Sequence, residues 1–373
     1  MSSQFTDHAE LGQKAGLEQQ VARGQQAGLG QQAGVARSLG SAFVASVLEA
    51  GQNQLWRAPR TAALIADWPG DPAAAAMSMR FNAALHAIAR RGHFPALNEL
   101  YRRRHGDFEK VIGEVLGAED DFIAEWMRHT PQTNEVGRAA AIWAALMVAR
   151  REIGQWNTSM PFELLELGSS CGLNLNLAHY GYDLGGILAG TLDSAVRVAP
   201  RWRGSPPPFA RVELTATRGV DLHPLDPGDA ATRERLMAFV WADEPERAER
   251  LHQALVLAQM HPPRIDRANA AVWLAARLRE PQPEGVCRVV FHSMVMQYLE
   301  PQDRGAVTAA LAEAGAQASQ ARPLARISFE WTVDRNMVEL TLTMWPDGTT
   351  RRLASCHPYG QWIDWQPAPA HAG

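Results

Sequence analysis

The sequence predicts an α/β protein: a mostly parallel sheet ending in an antiparallel hairpin, preceded by an all-helical region. Two observations predict it, and a third, the length, bears on how the chain divides. Residues 37–155 carry helical spacing and cap residues with no strand-like run. After Pro161 short apolar runs alternate with helical segments, and the last two runs flank a Pro346-Asp347-Gly348 turn. At 373 residues the chain exceeds the size at which one core usually stops growing. The expected division is a low-complexity tail over 1–36, a helical cap over 37–155 and an α/β domain over 156–373.

The tail holds a near-duplicate hexapeptide, Gly24-Gln25-Gln26-Ala27-Gly28-Leu29 followed by Gly30-Gln31-Gln32-Ala33-Gly34-Val35. Its glycines cost a helix ~1 kcal/mol each, which predicts a mobile segment or a frayed helix. Asp71-Pro72 reads as a cap and first helical position, opening a helix with Met77, Phe81, Leu85 and Ile88 on one face and Gly92 as its stop. Asp107 and Asp120 read as further caps. A long helix is expected from after Asn134 to Ile153, with Glu135 at its positive end.

Phe162 to Leu167 reads as a buried strand, and Leu173 to Tyr180 as a helix restarting after a Gly-rich turn. Gly181 to Pro208 reads as an irregular insertion. Arg211 to Asp221 is strand-like, Thr232 to Gln259 and Ala268 to Leu278 are helical, and Val286 to Phe291 is a buried strand. A helix after Pro301, a strand from Ala325 to Trp331 and the hairpin of Val338–Trp345 with Thr349–Leu353 complete the chain.

Composition excludes several classes. Thirty-six basic against 40 acidic residues leave a net charge of -4, no surplus with which to hold a phosphate backbone. The longest strongly apolar stretch, Ala139 to Ala149, is about half the ~20 residues of a membrane span, and the amino terminus lacks the apolar core of a signal peptide. Three dispersed cysteines form no disulfide framework, and the histidines lack metal-ligand spacing. The expectation is a cytoplasmic protein acting on a small molecule, with no metal, nucleic acid or membrane.

The strongest chemical motif is Glu166-Leu167-Gly168-Ser169-Ser170-Cys171-Gly172, between a predicted strand and a predicted helix. Glycines there allow a sharp turn and close backbone approach to a ligand. The motif resembles the acidic-x-Gly-x-Gly-x-Gly loop of Rossmann-type S-adenosylmethionine (SAM) methyltransferases, with Ser170 at the middle glycine and Cys171 where Ala is expected. The resemblance implies a methyltransferase-like sheet, SAM as cofactor, and Glu166, Gly168, Ser170 and Gly172 around it. Arg218-Gly219-Val220-Asp221 resembles the end of the second strand of that fold, which implies that Asp221 faces the ribose hydroxyls. Asn269 stands where these enzymes often place an Asp against adenine.

Val289 to Leu299 resembles the fourth strand and the helix it enters, which puts His292 and Ser293 at the carboxyl edge as candidate catalytic residues, the His as base or orienting group. Gln297 and Tyr298 follow as candidate pocket residues. A helix of about 18 residues from Glu135 spans ~27 Å, the depth of the sheet. Packed antiparallel to the strand after Pro161, it brings Gln132, Thr133, Asn134, Glu135 and Arg138 to the mouth of the Gly loop.

Beyond about residue 40 the chain is also similar to a bacterial family known as domain of unknown function 2332. The stretches that carry this are Pro131–Arg138, Glu166–Asn176, Gly219–Asp226, the His292-Ser293 segment and His357–Trp362. That family implies a methyltransferase-like fold and no set reaction. The expected function is SAM-dependent methyl transfer to a small molecule. The alternatives are an inactive methyltransferase-like binding module and an α/β-hydrolase, because Gly168-Ser169-Ser170-Cys171-Gly172 also fits Gly-x-Ser-x-Gly. In the latter Ser170 is the nucleophile, with Asp226 or Asp243 and His292 or His357 completing a triad.

Overall fold

A computed structural model describes residues 28–38, 40–70, 72, 75–155, 157 and 159–366. They divide into two units: one runs to Thr133 and takes in Arg233–Ala248, the other comprises Asn134–Thr232 and Glu249 onward. The division therefore falls at Asn134 rather than at residue 156. Helical periodicity identifies a helix but not the surface it packs on.

The first unit opens with α1 (Leu29–Ser38), α2 (Ala42–Gln54), α3 (Pro59–Ala66), α4 (Met77–Arg91), α5 (Pro95–Arg103), α6 (Phe108–Ala118) and α7 (Asp120–Trp126). Residues 28–36, expected as part of a tail, belong to a helix start and to α1, whereas 1–27 lie outside the described residues. Leu29, Ala33 and Ala36 recur at helical spacing and are buried, and α1 packs on α2. Burial of Leu29 alone contributes about 1.5–3 kcal/mol, enough to offset the helical glycines.

The α4 stripe is as the spacing predicts: Met77, Phe81, Leu85 and Ile88 are all buried, and Gly92 ends the helix at φ 78°. The start differs. Asp71 lies outside the described residues, and the helix begins at Met77, whose amide reaches Pro72 O at 2.9 Å. Asp107 caps α6 by accepting from Lys110 N at 3.0 Å. Asp120 serves another helix than the one expected: its carboxylate accepts from Arg60 N and Thr61 N, both 2.8 Å, and so caps α3.

The second unit is a mixed α/β sheet domain with antiparallel strands toward its carboxyl end. Val136–Arg138 form a 3-10 turn, and α8 (Ala139–Ile153) follows, shorter than the helix expected from Asn134. Every residue from Ala139 to Ala149 is buried, the mark of a helix enclosed on all sides. The helix packs chiefly on the later strands Leu324–Trp331 and Val338–Trp345, not chiefly on the strand after Pro161 as expected.

The strands are β1 (Phe162–Leu167), β2 (Gly181–Leu184), β3 (Ile187–Gly190), β4 (Arg197–Val198), β5 (Arg201–Gly204), β6 (Leu214–Asp221), β7 (Ile265–Arg267), β8 (Cys287–Ser293), β9 (Leu324–Trp331), β10 (Val338–Trp345), β11 (Thr349–Cys356) and β12 (Trp362–Trp365). Nine form one sheet in the order β5-β12-β11-β10-β9-β8-β1-β6-β7. The run β7-β6-β1-β8-β9 is parallel, and β9 through β12 are antiparallel neighbours.

The chain reaches β7 through α9 (Ala230–Phe239) and α10 (Pro245–Met260). The single helix expected over this stretch is interrupted before Pro245, which opens α10. Helices α11 (Ala270–Arg279) and α12 (Pro301–Ala316) cross between β7, β8 and β9. They bury Trp273, Leu274, Val307 and Leu311 with Leu165, Leu167, Val220 and Val290 of the sheet.

The stretch expected as an irregular insertion is ordered. Strands β3-β2-β4 form a small sheet and β5 joins the edge of the large one. The hydroxyls of Tyr180 and Tyr182 donate to Leu173 O and Leu177 O, at 2.5 and 2.6 Å. Both bonds pin the segment after the Gly loop, a 3-10 helix over Leu173–His179 where an α-helix was expected.

Candidate functional site

Strands β1 and β8 lie side by side with Leu167 opposite His292. From β1 the sheet extends through β6 and β7 in one direction, and from β8 through β9 in the other. Such a reversal of strand order is where open α/β sheets bind ligands, at the carboxyl ends of the strands. The Gly loop leaves β1 here, Asp221 ends β6 and Ser293 ends β8.

Gly168, Ser170 and Gly172 have φ of 70°, 53° and 71°. The sharp turn expected of the glycines is a left-handed one, and Ser170 adopts it as well at a cost of ~1–2 kcal/mol. The side-chain space of both glycines is filled by protein. A methyl on Gly168 would fall 2.8 Å from Val295 Cβ, and one on Gly172 2.6 Å from Pro263 Cβ.

The loop amides are also committed. Gly168 and Ser169 N–H donate to Val220 O, Ser170 to Asp221 Oδ2, Gly172 to Ser169 O and Leu173 to Asn134 Oδ1. A phosphate cradle needs N–H groups aimed at the ligand. This loop spends those donors on a carbonyl of β6, on one carbonyl of its own, on the Asn134 side chain and on a carboxylate, an arrangement that disfavours phosphate.

Some polar groups of the loop and its flanks remain unpaired. Among the described residues, Glu166 Oε2, Ser170 Oγ and Asn174 Oδ1 are buried without a hydrogen-bond partner. Burial, reinforced by the charge of Asp221, holds the Glu166 carboxyl well above the usual carboxylate range; Ser169 and Arg138 pull it down by less. Asp221 also accepts from His223 N at 2.8 Å.

Arg138 is buried and donates from Nε to Pro358 O at 2.8 Å and from Nη1 to Ser293 O at 3.2 Å. Glu135 accepts from Gly137 N at 3.0 Å. Asn134, Glu135 and Arg138 thus belong to the unit that holds the Gly loop. Gln132 and Thr133 belong to the helical unit, where Gln132 Oε1 accepts from Arg235.

His292 is wholly enclosed. Arg326 approaches its Nε2 at 3.1 Å from Nε and 3.0 Å from Nη2, and Glu330 Oε1 lies 2.7 Å from its Nδ1. A guanidinium can only donate, so Nε2 is the acceptor and the proton sits on Nδ1. Burial lowers the His292 pKa, and Arg326 lowers it further against the pull of Glu330. The ring is held neutral with both nitrogens engaged, so the base expected here is not offered to a substrate.

Ser293 is half-buried and Gln297 Nε2 donates to Met294 O at 3.3 Å, while Tyr298 is exposed. Asn269 caps α11: its Oδ1 accepts from Ala271 N and Val272 N, and its Nδ2 donates to Asp303 at 2.8 Å. The proposed hydrolase triad is not assembled. Ser170 Oγ has no partner, His292 is held by Glu330 and Arg326, and Asp243 accepts from Ser41 Oγ at 2.6 Å. Sequence reasoning missed Asn174, Arg326 and Glu330. The last two had a signal, since opposite charges four apart on a buried strand share a face.

A family model described as an uncharacterized protein conserved in bacteria, DUF2332, matches residues 26–365. The chain belongs to DUF2332. No curated protein and no solved structure matches it. In this DUF2332 chain, no group of three or more His, Cys, Asp or Glu among the described residues is arranged to hold a metal ion. No helix among them is long and apolar enough to cross a membrane.

Proposed function

We propose that the sheet unit binds SAM at the carboxyl ends of β1 and β8 and transfers its methyl group to a small molecule. The observation that carries this reading is the set of buried, unpartnered oxygens on Glu166, Ser170 and Asn174. Such a set calls for a hydrogen-rich or cationic ligand, because a buried acceptor left unpaired costs about 1–3 kcal/mol. SAM fits: it carries an ammonium and a sulfonium, and it brings no phosphate to a loop whose amides are taken.

The parallel strands β1, β6, β7, β8 and β9 stand in the order third-second-first-fourth-fifth, shared with dinucleotide-binding sheets. The antiparallel β9–β10 pairing departs from repeated parallel crossovers. When bound, SAM supplies an electrophilic methyl group. Glu166, protonated while it is buried alone, would give up that proton as it receives the ammonium, whose charge favours the ionised carboxylate. Asp221, a carboxylate with about four acceptor sites of which two are filled by Ser170 N and His223 N, would receive the ribose hydroxyls. Asn269, committed to α11 and Asp303, has no part in this ligand set. Arg138 and the loop after β8 would align the acceptor, and alignment is itself a sufficient source of rate for a direct transfer.

One observation favours a second reading, a binding module without catalysis: His292 offers neither ring nitrogen to a substrate. Calorimetric titration with SAM and S-adenosylhomocysteine tests the first step. Binding by the wild type, weakened at least tenfold (about 1.4 kcal/mol) in Glu166→Ala, supports the reading; no heat with either ligand overturns it. Incubation with methyl-labelled SAM and a small-molecule extract separates the two readings, since the module binds without transferring label.

A further inference from the structure

The loop after β8 lies against the Gly loop that leaves β1. Met294 takes a φ of 61°, and its amide donates to Phe329 O at 2.9 Å. Val295 then fills the side-chain space of Gly168. Two features hold that turn. Arg138 binds Ser293 O, and Glu330 Oε1 accepts from the amides of both Val295 and Met296, at 3.1 and 3.3 Å. The same Oε1 receives the Nδ1 proton of His292, whose far nitrogen is held by Arg326.

We infer that Glu330 is a positioning residue: fixed through His292 and Arg326, its carboxylate holds the Val295-Met296 turn against the Gly loop and so sets the shape of the ligand site. This rests on the SAM reading for the identity of the ligand and deepens it by naming what controls the site. The chemistry suits the task. A single carboxylate oxygen can accept several N–H groups, and charge-assisted hydrogen bonds are roughly twice as strong as neutral ones. Arg326 and His292 orient that oxygen from beneath the loop. A one-residue change at Glu330 frees two amides and with them the side chain that walls Gly168. His292 belongs to this scaffold, and its enclosure is the reason that it contacts no substrate.

The test uses the full chain with Glu330→Ala and Glu330→Gln, read by hydrogen exchange over 293–298 and by S-adenosylhomocysteine titration. Gln keeps an acceptor of the same reach but loses the charge, so its exchange and affinity should fall between those of the wild type and of Ala. Ala should raise exchange at Val295 and Met296 and weaken binding by about tenfold or more. Should the Ala variant fail to fold, Glu330→Asp, shorter by one methylene, should show the same two effects. Unchanged exchange in the Ala variant overturns the proposal, and so does raised exchange with wild-type affinity. If the wild-type chain binds no S-adenosylhomocysteine, the ligand reading falls and the exchange comparison alone decides the role of Glu330.

Discussion

Asp221 accepts the backbone amide of Ser170 at 2.8 Å, which ties the end of β6 to the middle of the loop that leaves β1. A residue expected to face a ligand therefore also holds the loop's left-handed turn. The two roles separate by substitution. Asp221→Asn keeps one acceptor and loses the other, which should cost on the order of 1–3 kcal/mol in urea unfolding with no ligand present.

The loop geometry gives a contrast within five residues. Gly168→Ala and Gly172→Ala place a methyl at positive φ and against Val295 or Pro263, and each should lower stability by more than ~1 kcal/mol. Ser170→Gly relieves a strain of ~1–2 kcal/mol and removes an unpartnered hydroxyl, so its urea midpoint should stay level or rise.

Glu166 titrates above its unfolded value because burial and Asp221 disfavour its charge. As pH rises from about 4.5, the unfolded chain releases this proton while the folded chain keeps it, so stability falls through that window. Glu166→Gln should flatten this fall, seen as a difference in Tm against pH between the two proteins, while stability near pH 4 changes little.

In the helical unit, His86 is buried against Tyr101, with its Nδ1 3.1 Å from Ala238 O. Burial first, and the charge of Arg90 second, bring its pKa down to about 4. The unfolded chain takes up the proton from pH 6.5 downward and the folded chain only near 4. Stability is therefore present above 6.5 and lost as pH falls toward 4, by roughly 3 kcal/mol. His86→Asn, which keeps an N–H donor and does not titrate, should remove that slope in acid unfolding followed by circular dichroism.

Asn269→Ala should cost about 0.5–2 kcal/mol through loss of the α11 cap, measured by thermal unfolding. Ligand affinity should be unchanged. A loss of affinity without loss of stability would restore the adenine contact that the sequence suggested.

Local patterns made much of the fold legible. The strand of Phe162–Leu167, the Val338–Trp345 hairpin arm and the α4 stripe could be read because periodicity and turn chemistry act over a few residues. The sharp turn after β1 was legible from its glycines. The small sheet over 181–198 was not, because its strands are two to four residues long and set among glycines. Asp120 read as the cap of its own helix and instead caps α3, a choice made by a neighbour some 60 residues earlier in the chain.

By itself, the sequence determined the helical opening, the strand-loop-helix alternation, the Gly loop with Glu166 and Asp221, and the antiparallel ending, because each depends on near neighbours. Only the tertiary structure decided that α8 belongs to the sheet, that the loop amides are occupied, and that His292 is enclosed between Arg326 and Glu330. Those facts depend on which distant groups fill a residue's hydrogen bonds, and hydrogen-bond partners become countable only once strands have found their neighbours.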